Sequence, residues 1–181
     1  MEPIHSSTFM LSAIATGLIA LIFAVTAHHK IFNMFEIQGI VRDYRLLPTI
    51  LVKPMALMIT IAEIGTVILL VIPSTRLIGA SIAILMLALY TLAIAINLFK
   101  GRVTIDCGCG AGGQGISWFH VVRNAIYSIF PLLIITLPIQ SVPSINAAVT
   151  SLFCTAMLWL IVVFFEQLLK TKAHIIVSDS Q

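Results

Sequence analysis

Five apolar runs, Phe9–Ala27, Pro54–Ile72, Ile78–Phe99, Phe119–Leu137 and Ile145–Phe165, constrain this chain more than any other feature. Each is about 19–22 residues long, which at about 1.5 Å per residue crosses about 30 Å of hydrocarbon as an α-helix. Inside them stand two formal charges, Glu63 and Arg123. The chain is 60% hydrophobic and 9% charged, with a mean hydropathy of +1.11. A soluble domain carries about 25% charged residues and has no place for so much apolar surface. The expected architecture is an all-α polytopic membrane bundle of five helices in a single integral membrane domain spanning 1–181. The natural solvent is the lipid bilayer. The net charge of +3 then reports orientation rather than nucleic-acid binding, which is not expected.

The links have turn chemistry. Ser6-Ser7-Thr8 offers caps for the first helix, Ser117 for the fourth, and Pro54 suits a helix start. Pro73-Ser74, Pro138 and Pro143-Ser144 mark short connections. The long link 28–53 mixes Ile31, Phe32, Phe35, Val41 and Tyr44 with Lys30, Glu36, Arg42 and Arg45, the pattern of a short interfacial helix, with Pro48 ending it. Val25-Thr26-Ala27 resembles a signal-peptide cleavage site, which would leave four helices. The segment before Phe9, however, has Glu2 and no Lys or Arg, whereas a signal starts positive.

With five spans, one face holds Arg76. The other holds Lys30, Arg42, Arg45, Lys53, Lys100, Arg102, Lys170 and Lys172. The positive-inside rule puts that second face, with the C-terminus, in the cytoplasm. The setting expected is a bacterial inner membrane.

The chemically loaded segment is the loop 100–118, which contains Asp106-Cys107-Gly108-Cys109-Gly110. Five of the ten glycines fall between 106 and 115. Gly108 and Gly110 free the backbone for positive φ, so that cysteines one residue apart can turn toward each other. A Cys-x-Cys disulfide closes a small ring away from the usual geometry, and strained, exposed disulfides are the labile, catalytic kind. Lys100, Arg102, His120 and Arg123 favour a thiolate, and Asp106 opposes it. Three readings stand side by side: a redox pair, idle thiols in a flexible loop, and a weak metal site. One Cys-x-Cys pair lacks the four ligands of structural zinc, so no metal is expected. Gly108-x-Gly110-x-x-Gly113 and Gly110-x-Gly112-x-x-Gly115 both match a dinucleotide fingerprint. They follow a transmembrane helix, not a strand, and the next acid after Asp106 is Glu166, so nucleotide binding is rejected.

Glu63 lies at the centre of its span. Intramembrane carboxylates face the bundle interior and pair or protonate, so Glu63 is either a proton relay or ligand contact, or a structural ion pair with Lys30 or His28. Arg123 either supports a thiolate or snorkels to the interface. Cys154, in the last helix, reads as a packing residue outside the redox unit.

The chain resembles the methylamine utilisation protein MauE family, within the wider DoxX-like group of small membrane proteins. The residues that carry the resemblance run in order. Ala27-His28-His29-Lys30 is followed by Tyr44-Arg45-Leu46-Leu47-Pro48, then by Pro54 with Glu63. Gly101-Arg102, Ile105-Asp106-Cys107-Gly108-Cys109, Ile116-Ser117-Trp118 and Arg123-Asn124 complete the series. Gly110-Ala111 stands where the family tends to have Phe-Gly. The resemblance implies an accessory role in maturing the disulfide-rich small subunit of methylamine dehydrogenase, beside a thioredoxin-like MauD-type partner. Cys107 and Cys109 would then be the exchange pair. Two other classes stay open: a DoxX-like carrier passing thiol electrons to a quinone, which needs a lateral apolar pocket, and a non-enzymatic scaffold or transporter.

Overall fold

A computed structural model describes residues 2–108, 115–137 and 145–178. Six helices follow one another: α1 (Glu2–Phe32), α2 (Met34–Asp43), α3 (Thr49–Val71), α4 (Arg76–Phe99), α5 (Trp118–Thr136) and α6 (Ile145–Ser178). All but α2 contain a segment long and apolar enough to cross a membrane. The fold is thus the expected all-α bundle, and α2 is the expected short helix of the 28–53 link. Cys109, residues 110–114 and the link 138–144 lie outside the described residues.

Two expected helix starts are corrected. Helix α1 already begins at Glu2, so Ser6-Ser7-Thr8 sits within it rather than capping it. Helix α3 begins at Thr49 after Pro48, placing Pro54 inside the helix. Pro54 has no N–H for the carbonyl of Ile50, a residue of the first turn of α3 that is 83% exposed. Pro48 also belongs to the start of α3. Helix α2 has already closed at Tyr44, with Arg45 turning the chain at φ +50°. Ser117 does cap α5.

Helix α1 is the hub, packing on α3, α5 and α6, while α4 packs on α3 and most extensively on α5. Its inward stripe is Ala15, Leu18, Ile19, Phe23, Ala27 and Lys30, at the three-and-four spacing of one helix face. Cleavage after Ala27 would remove all of that stripe except Lys30. The inward stripe of α3 is Val52, Ala56, Thr60, Glu63, Thr66 and Leu70, while its Leu57, Met58, Ile61 and Ile68 point outward. Small and polar residues inside, aliphatic residues outside, is the packing rule of helices in lipid, where apolar side chains gain nothing by leaving the tails. Buried hydroxyls bond back to their own helix, as Thr60 does to the carbonyl of Ala56 at 2.9 Å and Thr155 to that of Ser151 at 2.8 Å. At the α3–α4 turn, a Cβ on Gly79 would come within 2.8 Å of the Leu70 nitrogen, so the two backbones touch there only because the residue is glycine.

Candidate functional site: two cavities around a buried ion pair

The last turn of α1 carries Lys30 on its inward stripe, and the middle of α3 carries Glu63 on its own. Their exposures are 6% and 1%. Lys30 Nζ donates to Glu63 Oε1, forming a buried ion pair. Tyr90 of α4 donates its hydroxyl to the same oxygen at 2.6 Å, and Lys30 Nζ donates to the Tyr90 hydroxyl oxygen at 3.3 Å. The ammonium also lies 4.9 Å from the Tyr90 ring centre. Helices α1, α3 and α4 therefore meet on one three-membered polar cluster at membrane depth. Lipid offers no other partner for these groups, so each holds the others in place.

Among the described residues, Glu63 Oε2 takes no hydrogen bond. Glu63 lines a cavity of about 70 Å³ formed by residues of all five long helices, among them Thr26, Arg123, Asn124, Tyr127 and Trp159. Asn124 is 3% exposed, and its Nδ2 likewise has no partner among the described residues. A space of this size, with an acceptor and a donor on its walls, suits one or two water molecules. Arg123 lines this cavity, its guanidinium 5.8 Å from the Tyr127 ring centre.

A second cavity, of about 150 Å³, lies between α2, α3, α4 and the loop after α4. Lys30 and Tyr90 form one end of it, and Cys107 and Gly108 line it too. The loop is built to hold Cys107 there. Gly101 turns the chain at φ +71°, and Arg102 N–H donates to the carbonyl of Asn97 at 3.0 Å. Asp106 and Gly115 pair in a single antiparallel bridge, and Ile116 N–H donates to the carbonyl of Ile105 at 2.8 Å. A Cβ on Gly115 would lie 2.1 Å from the Val103 carbonyl oxygen, so only glycine closes this pinch. Gly108, at φ +69°, donates its N–H to Asp106 Oδ1 at 3.0 Å. The result is a buried Cys107, packed with Tyr44, Ile94, Ile105 and Ile116.

The structure thus brings Cys107 and the Lys30–Glu63–Tyr90 cluster to neighbouring cavities that share Lys30 and Tyr90. Arg123 lines the Glu63 cavity and is not among the residues lining the Cys107 cavity. His120 accepts the Ser117 N–H at Nδ1, 3.2 Å away, so it serves the cap of α5. Arg102 donates to Asn97 Oδ1 at 3.4 Å. Cys109 lies outside the described residues. Cys154 is a half-buried free thiol on α6. Among the described residues, no group of three His, Cys, Asp or Glu side chains could hold a metal ion. Tyr90 is the member that sequence analysis missed, its only signal being a tyrosine within an apolar helix, and Asn124 entered there only in the Arg123-Asn124 pair of the resemblance.

The family model for methylamine utilisation protein MauE matches residues 8–138. The methylamine utilization protein MauE of Methylophilus methylotrophus is 36% identical over 151 residues, covering 81% of this chain and 80% of that protein. Its namesake in Paracoccus denitrificans is 34% identical over 145 residues, covering 77% and 78%. No solved structure matches the chain.

Breaking a buried pair leaves a lone charge in low dielectric, at a cost of about 3–5 kcal/mol. Lys30→Met is therefore expected to destabilise the bundle by about that much, and Lys30→Met with Glu63→Gln to recover most of it. Equilibrium unfolding in mixed micelles measures both. Equal loss in the single and double variants would show that the pair contributes no coupling.

Proposed function

The chain belongs to the methylamine utilisation protein MauE family, and on that premise we propose that it is a membrane accessory factor in maturation of the methylamine dehydrogenase small subunit. Its place in methylamine utilisation follows from the family. The finer role rests on the loop. Cys107 is held buried by a pinned backbone, within a cavity that also contains an ammonium and a phenol. That environment supports a thiol with a task over an idle one.

In this reading Cys107 and Cys109 alternate between disulfide and dithiol. A thiolate of a thioredoxin-like, MauD-type partner attacks the Cys107–Cys109 disulfide and forms a mixed disulfide. The partner's second thiolate resolves it, leaving the partner oxidised and both cysteines reduced. The oxidised partner then delivers its disulfide to the small subunit. Glu63 and Lys30 fix the helices around the site, and in this reading Glu63 moves protons through the cavity it shares with Asn124. The scaffold reading predicts no thiol requirement at all. In cells, Cys107→Ser with Cys109→Ser should abolish maturation of the small subunit, and Cys154→Ala should leave it intact. Maturation that persists in the double variant would sink the exchange reading.

The orientation is part of the same proposal: N-terminus outside, C-terminus in the cytoplasm, in the inner membrane. A disulfide for a secreted subunit belongs outside the reducing cytoplasm, whereas the charge pattern puts the loop at the cytoplasmic end. A thiol recessed into the bundle, as Cys107 is, reconciles the two. In intact cells an impermeant maleimide should leave a cysteine introduced at Lys53 unlabelled and label one at Ser74. The reverse pattern would overturn this topology.

A further inference from the structure

The cavity beside Cys107 has a shape and chemistry that specify an occupant. Its volume, about 150 Å³, is that of a cavity that accepts a single aromatic ring. Its walls are mostly aliphatic, from Ile37, Ile40, Met55, Ile59, Ala93 and Ile94. Polar groups come from Lys30, Tyr44 and Tyr90 and from the Cys107 segment of the loop. Lys30 carries three N–H donors, and Glu63 and Tyr90 take two. The third suits an uncharged acceptor, because the ion pair with Glu63 already balances the ammonium. Leu46, also in the lining, is 40% exposed, so the cavity reaches the outer surface of the bundle, on the side of α2.

We infer that this cavity is the site of a lipid-soluble quinone, the substrate that reoxidises the cysteine pair. A quinone is a flat apolar ring with carbonyl acceptors. One carbonyl oxygen accepts from Lys30, and the ring occupies the aliphatic walls toward Cys107. An acyl chain would fill the same walls but leave the Lys30 donor facing methylenes, a buried polar group with no partner. The inference rests on the exchange reading above and names the acceptor that reading requires. The electrons balance. Cys107 and Cys109 lose two electrons and two protons and join through a sulfur–sulfur bond. The two carbonyls of the quinone gain two electrons and two protons and become hydroxyls.

The test uses the full chain in lipid nanodiscs, reduced, with Cys154→Ala to silence the third thiol. A short-tailed benzoquinone or oxidised glutathione is added, and the remaining thiols are counted by maleimide mass tagging. Ala93→Phe and Val41→Trp each place an aromatic ring in the cavity. Both should slow oxidation by the quinone by about tenfold or more, with oxidation by glutathione little changed. Separately, in a Cys109→Ser chain, a redox-inert dimethoxybenzene should slow maleimide labelling of Cys107 by about fivefold, which reads binding without electron transfer. That measurement stands even where neither filled variant folds. Oxidation of the parent by glutathione but not by the quinone would overturn the quinone site and leave the exchange reading in place. So would filled variants that react with quinone at the parent rate, or protection of Cys107 by added phospholipid and not by the dimethoxybenzene, the mark of an acyl-chain pocket. Failure of both oxidants to change the thiols would sink the exchange reading itself.

Discussion

The ion pair of Lys30 with Glu63, closed by the Tyr90 hydroxyl, is the interaction on which the rest of this structure depends. In water such a pair would add little. In lipid its alternatives are a lone charge or a proton transfer, so the three side chains can be satisfied only together. They come from α1, α3 and α4, and their meeting fixes the register of those helices where aliphatic packing alone would leave them free to slide. The lipid-facing residues give no such direction, because tails and side chains are equally apolar.

The same cluster links the two cavities. Lys30 and Tyr90 face Cys107 on one side and the Glu63–Asn124 space on the other. Deprotonation of Cys107 would therefore put a thiolate in a cavity lined by an ammonium whose own partner is a carboxylate with one oxygen unbonded among the described residues. On the exchange reading proposed above, electron movement at the loop and proton movement in the bundle would be felt by one another. A cysteine pair in an exposed, unsupported loop would have no such connection.

Much of the fold is legible in the sequence, for a simple reason. Runs such as Ile78–Phe99 have no use outside a membrane, and hydrophobic length alone announces them. Lys30 and Glu63 were paired from sequence because a carboxylate at mid-span needs a cation and α1 ends in one. The helix ends were less legible. Hydropathy falls at His28, yet α1 continues to Phe32 and carries Lys30 inward, and α3 starts five residues before Pro54 at the loss of one backbone bond, that to the carbonyl of Ile50. The cavity at Cys107 was not legible at all. It needs α2 to fold back against α3, with Ile37 buried and Tyr44 under the loop, and no local pattern encodes that return. Nor did spacing show that Arg123 would line the Glu63 cavity, since one helical turn on α5 decides the matter.

A redox titration decides whether Cys107 and Cys109 form one redox unit, as proposed above. The purified chain is equilibrated over a series of dithiothreitol ratios and each cysteine is quantified by alkylation and mass spectrometry. The account predicts that Cys107 and Cys109 become protected together in a single two-electron transition, while Cys154 stays alkylated throughout. Cys107 and Cys109 that remain alkylated across the whole range, or that are protected at separate potentials, would contradict it.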